Sequence, residues 1–357
     1  MSPIYVYAIV PAMHRQTFDV GGLSVADPQV CTICGNGVAA VVGASPPIDF
    51  RALSREEAVR YLLAHQRVVE AVMRIAPTLP VKFGTTLPDE AVVARLLERG
   101  GAVLAARLAE ISQQVQVELI VTWSVEEALR EVAAEEAVAQ LKSKIEAQGS
   151  AATNDSRIAL GRLVKESIDC KRESYRRGIL AALRPIGTDV AENALMDDCM
   201  VANLALLIPV GASELLDQRL AQLDAEFNER LNFRCVGPLP PYSFATVEVS
   251  LPSFDVIDQA RRALNLGDSA NLADIKTAYR RLIQRIHPDH GTALQAADGA
   301  PARLTDAYKT LISYATALPS MAGVANDCRF DRDAVEGTIL VAVRRQELAA
   351  AGLEGAP

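Results

Sequence analysis

The chain has 357 residues, of which half are apolar and 22% are charged, and its formal net charge is −8. A chain of this length is longer than a single hydrophobic core usually accommodates, so two or three domains are expected. The aliphatic content excludes a mainly disordered chain. The acidic balance disfavours nucleic acid as a partner, because a phosphate backbone selects positive surfaces. The sequence has no basic leader and no uncharged apolar run of about 18 residues, so we expect a cytoplasmic protein without a membrane partner.

Residues 1–125 alternate between strand-like and helix-like patterns. Short β-rich runs bounded by proline or glycine predict strands or extended segments. These runs cover residues 4–10, 38–42, 79–85 and 115–123. Helical patterns lie between them, at residues 54–75, at 89–98 and in a further helix through residue 111. This order of elements predicts an α+β fold with a ferredoxin-like domain over residues 1–125.

The helix that follows Ser54 has the clearest local pattern. Ser54 and Glu57 have the spacing of a capping box, in which each side chain bonds the backbone N–H of the other residue. Apolar positions then recur every three or four residues, which predicts one stripe buried against the core. The stripe consists of Ala58, Leu62, His65, Val69 and Val72. His65 is therefore expected to be a hydrogen-bonded core histidine and not a metal ligand.

Residues 126–250 predict a second α+β domain with long helices. The helical patterns cover residues 124–148, 156–183 and 213–231, and the strand patterns cover 200–210, 233–236 and 244–249. A segment dense in proline joins the last two strands, and we expect it to be a rigid extended crossing. A rigid segment loses little conformational entropy on binding, so it is also a candidate contact site.

Six cysteines are scattered through the chain, and only Cys31 and Cys34 form a C-x-x-C pair. A structural zinc site needs two further ligands, and no second pair supplies them, although His14 and His65 are available in principle. A redox role is weaker still, because the pair runs into the turn at residues 35–37 and does not open a helix. We therefore expect neither a metal nor another cofactor, and buried single thiols in place of disulfides.

From residue 254 the pattern is helical. Helices are predicted over residues 255–264, 271–286 and 302–316, and a strand-like run at 338–343 lies in the C-terminal segment 319–357. The second helix has one acid, Asp274, beside four basic residues outside its apolar stripe. These are Lys276, Arg280, Arg281 and Arg285. Such a cluster in an acidic protein indicates an acidic partner.

Residues 254–318 resemble a J-domain, the module by which Hsp40-type co-chaperones bind Hsp70. The resemblance rests on the basic helix, on His287, Pro288 and Asp289 directly after it, and on residues 305–311. It implies that the His-Pro-Asp turn stimulates ATP hydrolysis by Hsp70 and that the four basic residues provide docking. The first helix lacks the usual tyrosine pair, and the loop after Asp289 is rich in Ala and Gly. The alternative is a three-helix module without Hsp70 coupling.

Four segments of the first 250 residues resemble the GvpF/GvpL family of gas vesicle proteins. They are residues 4–10, His65 with residues 68–70, residues 79–85 and residues 237–244. The last segment departs from the family by having Leu239 where a tryptophan is frequent. The resemblance implies an accessory or minor component of the gas vesicle. Its partners would be the small, very hydrophobic shell protein of the GvpA type and other vesicle accessory proteins.

The candidate shell-protein contact is the proline-dense segment. Its members are Gly237, Pro238, Pro240, Pro241, Tyr242 and Phe244. In the alternative interpretation Tyr242 and Phe244 fill the core. A holder for an apolar subunit that polymerises is physically reasonable, and a fused J-like module would deliver that subunit to Hsp70.

The competing function is a general J-domain co-chaperone with an unrelated client. An enzyme is not expected, because no glycine-rich phosphate loop and no paired acid and base or nucleophile are evident in the sequence. The same reasoning applies to His287 and Asp289, which have no second acid or nucleophile beside them.

Overall fold

The computed structural model describes residues 3–46, 48–50, 52–149, 153–286, 300–317 and 327–345. The chain divides into two compact units. Unit 1 comprises residues 1–109 and 246–344, and unit 2 comprises residues 110–245 and 345–357. The chain thus leaves unit 1 after residue 109, returns to it at residue 246 and leaves it again after residue 344. The sequence-based division at residues 125, 250 and 318 stays a prediction about folding units.

The N-terminal part of unit 1 contains one mainly antiparallel sheet. Its strands are β1 (Ile4–Pro11), β2 (Thr17–Phe18), β3 (Val30–Gly35), β4 (Val38–Ala44), β5 (Leu79–Pro80) and β6 (Thr86–Leu87). Their order is β2-β3-β4-β1-β5, and β6 also pairs with β1. Asn36 and Gly37 join β3 to β4 with φ angles of 47° and 80°, the left-handed backbone that a two-residue hairpin turn requires. Strand β1 is central, and its six inner residues are all buried.

Two helices belong to this part of the chain, α1 (Arg55–Met73) and α2 (Glu90–Ile111). The predicted capping box is confirmed, since Ser54 accepts from the Glu57 N–H and the Glu57 carboxylate accepts from the Ser54 N–H. The prediction of two helices between residues 89 and 111 is wrong. One helix runs through Gly100 and Gly101, and Gly101 packs directly on Asn36, where a larger side chain would not fit.

Unit 2 contains a four-stranded antiparallel sheet. Its strands are β7 (Gln114–Trp123), β8 (Asp189–Glu192), β9 (Met200–Pro209) and β10 (Leu231–Leu239). Its helices are α3 (Val125–Ala134), α4 (Glu136–Gln148), α5 (Asn154–Leu183) and α6 (Ser213–Glu226). The strand order is β10-β7-β9-β8. The helix predicted over residues 124–148 is divided, because Glu135 adopts extended backbone with ψ of 137°.

The mixed α+β class holds for the chain, but the ferredoxin-like domain predicted for residues 1–125 is not confirmed. Strand β7 had been assigned to that domain, and it pairs with β9 and β10 of unit 2. The order of elements in unit 2 is strand, helices, two strands, helix and strand, the order found in ferredoxin-like motifs. The core of unit 2 lies between this sheet and α5 and α6, with Leu119, Ile179 and Leu204 among its buried members.

The C-terminal part of unit 1 combines helices with two small ladders. It contains β11 (Thr246–Ser250), α7 (Phe254–Ala263), β12 (Ser269–Ala270), α8 (Leu272–Ile286), α9 (Ala300–Ala317), β13 (Cys328–Arg329), α10 (Arg332–Glu336) and β14 (Leu340–Arg344). Helices α7 and α8 both pack on α9. Strand β12 pairs with β13, and β11 pairs with β14. In the part of the chain that the structure describes, no helix has the length and apolar character that a bilayer crossing requires.

Candidate functional site

Within the described residues, no three His, Cys, Asp or Glu side chains are close enough together to hold a metal ion. Cys31 and Cys34 both lie on β3, where side chains three positions apart point to opposite faces. The Cys34 Sγ donates to the carbonyl of Met13 at 2.8 Å. The C-x-x-C pair is therefore part of a strand and does not form a two-thiolate loop.

Three of the four family-like segments meet at His65. Its Nδ1 lies 3.0 Å from the hydroxyl of Tyr5 on β1, and the same hydroxyl accepts from the N–H of Gly84 at 2.9 Å. The ring of Phe83 contacts the imidazole edge to face, with 5.8 Å between centroids. His65 is 1% exposed. Burial lowers the pKa of His65 to about 4, partly offset by a hydrogen bond to the backbone of Val81.

The segment at residues 79–85 is bound to β1 through its backbone as well. The Val81 N–H donates to the carbonyl of Tyr7 at 3.0 Å, and the Val6 N–H donates to the carbonyl of Thr85 at 3.0 Å. Lys82 is exposed and forms an ion pair with Glu248 at 2.8 Å. These contacts assign a structural role to the segment, since they join α1, β1 and β11 inside unit 1.

The first half of α1 has an exposed apolar row, and the predicted buried stripe is wrong there. His65, Val69 and Val72 are buried as expected, but Leu62 is 45% exposed. Beside it, Val59 and Leu63 are 50% and 53% exposed. Val59, Leu62 and Leu63 are spaced three and four residues apart and share one side of the helix. We call these three residues the α1 row.

The α1 row was not among the functional candidates predicted from the sequence. The sequence does indicate it, because Val59 and Leu63 are further apolar residues beside the predicted stripe. A helix that buries one face requires apolar residues on that face only, so the additional ones are available for another contact.

Most of the predicted shell-protein contact segment is inside unit 2. Pro240, Pro241 and Phe244 are buried, and Tyr242 is half-buried. The neighbouring Ser243 is held by Gln116, whose Oε1 accepts from the Ser243 N–H at 2.8 Å.

Two residues of that segment, Gly237 and Pro238, are exposed, and they lie on β10. Gly237 sits so close to β7 that a Cβ would lie 3.0 Å from Val117 Cγ2. The segment is therefore partly a strand and partly a core element, and its exposed part is this short stretch of β10.

Strand β10 forms one edge of the unit 2 sheet, and a groove of about 590 Å³ lies between it and α6. Leu220, Leu231 and Phe233 provide the apolar part of its lining. Three acids also line it, namely Asp217, Asp224 and Glu229. The Cys235 thiol lies at the same groove, and burial together with the nearby Asp217 carboxylate raises its pKa.

The basic face predicted on α8 is present on the surface. Lys276, Arg280, Arg281 and Arg285 are all exposed, and none of them forms an ion pair with another described residue. The opposite side of α8 packs on α9, where the rings of Tyr279 and Tyr308 stack with centroids 4.3 Å apart. His287, Pro288 and Asp289 lie outside the described residues.

The comparisons with known proteins agree with the family-like segments. Residues 3–246 match the family described as gas vesicle synthesis protein GvpL/GvpF. Gas vesicle protein F of Nostoc sp. strain PCC 7120 is 28% identical over 192 residues, which cover 53% of this chain and 78% of the relative. Gas vesicle protein F of Streptomyces sp. strain CB03234 is 26% identical over 242 residues, covering 67% and 98%.

A solved structure is similar over the same region. The crystal structure of GvpF from Anabaena sp. PCC7120 has a TM-score of 0.59 at 25% identity, and the match covers 68% of this chain and 98% of that one. The family match ends at residue 246, before α7, α8 and α9. Because the match covers more than half of the chain, this protein belongs to the GvpL/GvpF family of gas vesicle synthesis proteins.

Proposed function

We propose that the protein is a gas vesicle assembly factor, or a minor vesicle component, that binds the hydrophobic shell protein and other vesicle accessory proteins. The α1 row is the observation that carries this proposal. Contiguous exposed apolar patches on soluble proteins often mark interaction sites. Three apolar residues at i, i+3 and i+4 spacing form the contact surface that one helix presents to an apolar partner.

The proposal is tested by co-expressing the full chain with a GvpA-type shell protein and measuring the shell protein that is retained in a pull-down. Leu62→Glu combined with Leu63→Glu places two charges in the α1 row. We expect retention to fall by about tenfold, since buried contacts at the centre of an interface dominate its affinity.

A matched control is Val25→Glu with Val103→Glu, because both valines are exposed elsewhere in unit 1, at 98% and 59%. Thermal unfolding should change little in either double variant, as surface substitutions rarely alter stability by more than about 0.5 kcal/mol. Equal retention by the two variants would remove the α1 row from the proposal. No retention by the native chain would favour the general co-chaperone.

The exposed part of the proline-dense segment is a second proposed contact. Pro238→Asp tests it in the same pull-down, because Pro238 is exposed on β10 whereas Pro240, Pro241 and Phe244 are buried. A decrease in retention with unchanged thermal unfolding supports the contact. Unchanged retention restricts the segment to its role in the fold.

We further propose that the α8 surface recruits Hsp70. The supporting observation is the exposed set of four basic residues without ion-pair partners among the described residues. Steady-state ATP hydrolysis by Hsp70 is measured with the native full chain and with Arg280→Glu/Arg281→Glu. Loss of stimulation in this variant, but not in the control Arg157→Glu/Arg162→Glu on α5, is expected. Absence of stimulation by the native chain identifies a helical module without coupling.

These experiments need the full chain. A cut at residue 250 would separate β11 from β14 and would divide unit 1 between two fragments. Point variants leave that ladder intact.

A further inference from the structure

Strand β10 has a free edge in the part of the chain that the structure describes. It pairs with β7 on one side, and no described strand pairs with its other side. An unpaired edge exposes N–H and C=O groups that accept another strand. Proteins commonly protect such edges with proline or a bulge. Here Pro238 and the register shift between Val236 and Leu239 occupy only the last residues of β10, so Leu231 to Val236 form a regular edge.

The two faces beside this edge differ in charge. Because side chains alternate along a strand, Leu231, Phe233 and Cys235 share the face toward α6, where Leu231 is buried, Phe233 is half-buried and Cys235 is exposed. These three residues line the groove with Asp217 and Asp224 of α6. Asn232, Arg234 and Val236 alternate with them and are all exposed, and Asn232 also borders the groove. A strand placed next to β10 would therefore present alternate side chains to an acidic groove under α6.

We propose that this edge and groove bind an extended segment of another protein by strand addition. The segment carries lysine or arginine at alternate positions, facing Asp217, Asp224 and Glu229, with β-branched apolar residues between them. A second copy of this chain is a poor occupant, because pairing two β10 edges would bring the same three acids of each copy toward one another. Main-chain hydrogen bonds to β10 provide the affinity, and the acidic groove selects segments with basic side chains.

The test uses labelled peptides of about ten residues in fluorescence anisotropy with the full chain. One probe alternates Lys with Val, a second alternates Glu with Val, and a third is the Lys–Val peptide with a central proline. The Lys–Val probe is expected to bind, and more weakly as salt is raised, since exposed charges are screened. The other two probes are expected to bind at least tenfold more weakly.

The matched variants reverse two charges each. Asp217→Lys/Asp224→Lys is expected to weaken the Lys–Val probe by about tenfold. Glu166→Lys/Glu214→Lys makes the same charge change at exposed acids outside the groove, and it should change the affinity by less than about twofold. If the first variant unfolds, Asp217→Asn/Asp224→Asn replaces it.

Hydrogen exchange separates strand addition from simple attraction between charges. Bound probe should slow exchange at amides between Asn232 and Val236. The proposal would be overturned if the Lys–Val and Glu–Val probes bound equally well. It would also be overturned if the two double variants had the same affinity for the Lys–Val probe, or if the β10 amides were not protected by bound probe. Concentration-dependent dimerisation blocked by the Lys–Val probe would also overturn it, in favour of a second copy. The proposed function is tested separately, because the α1 row lies in unit 1 and no groove variant changes it.

Discussion

His65 belongs to a family-like segment and is buried against β1. Its imidazole joins α1 to β1 through the Tyr5 hydroxyl, and that hydroxyl in turn accepts from Gly84. A hydrogen-bonded core histidine was expected at this position, and the burial of His65, its contact with the Tyr5 hydroxyl and its contact with the Phe83 ring confirm this. The residues that made the family recognisable therefore include a set that holds the N-terminal sheet to its helix.

The neutral state of His65 predicts a pH dependence of stability. Its pKa is about 4 in the folded chain, below the ordinary value of 6.5. The unfolded chain therefore binds a proton first as the pH falls, and stability is lost between about pH 6.5 and pH 4. The whole difference in the pKa of His65 between the unfolded and the folded chain corresponds to about 3 kcal/mol of the free energy of unfolding.

The measurement is the denaturant midpoint at pH 7, 5.5 and 4.5 for the native chain and for His65→Gln. Carboxylates contribute to both proteins, so the quantity compared is the difference in slope with pH. The native chain should lose more stability than the variant across this range. Parallel slopes would show that His65 does not titrate as the buried geometry requires.

At the scale of elements, α2 shows how close packing places two glycines inside a helix. Glycine lowers helix propensity, yet Gly100 and Gly101 lie within one continuous helix. In the fold they allow close packing: a Cβ on Gly101 would lie 2.7 Å from the carbonyl oxygen of Asn36. Asn36 also binds α2, because its Nδ2 donates to the carbonyl of Glu98 at 2.9 Å. The close approach of the β3–β4 turn to α2 therefore explains why glycine occupies position 101.

This packing predicts opposite outcomes for the same substitution in two helices. Gly101→Ala should destabilise unit 1 by about 1–3 kcal/mol, because the backbone of Asn36 must move. Gly161→Ala in α5 should stabilise the chain by about 0.5–1 kcal/mol, since nothing lies within 4 Å of its Cβ position. Chemical denaturation of both variants provides the check. A stabilising Gly101→Ala would contradict the close approach.

At the scale of the whole molecule, residues 327–344 complete the unit that begins at the N-terminus. Phe330 is 1% exposed in the core formed with α7, α8 and α9, and Cys328 and Val335 are buried there too. The Tyr314 hydroxyl donates to the carbonyl of Arg329 at 2.9 Å. The guanidinium of Arg332 lies over the ring of Phe254, 4.4 Å from its centroid.

Ending the chain after residue 317 should therefore unfold or loosen the helical part of unit 1. Loss of a buried phenylalanine alone costs about 3–5 kcal/mol, and β11 would also lose β14. Hydrogen exchange in α7 and α9 is the readout, and α5 of unit 2 is the internal reference. A chain that ends at Arg345 keeps all of these contacts and serves as the control. Unchanged protection in α7 and α9 would contradict this role of the C-terminal residues.

The sequence by itself determined the local elements and the family. These features depend on residues within a few positions of one another. They are strand β1, the capped start of α1, the cap at Asn271 and the family-like segments. Asn271, for example, accepts from the N–H groups of Ala273 and Asp274. Such patterns are readable because capping and periodicity are local interactions.

Only the tertiary structure decided which elements belong together and which faces stay exposed. Strand β7 follows the first unit in sequence but pairs with β9, and β14 pairs with a strand far earlier in the chain. The same apolar stripe on α1 is buried at Val69 and exposed at Leu62. The physical reason is that strand pairing and burial are set by partners distant in sequence, which no local pattern specifies.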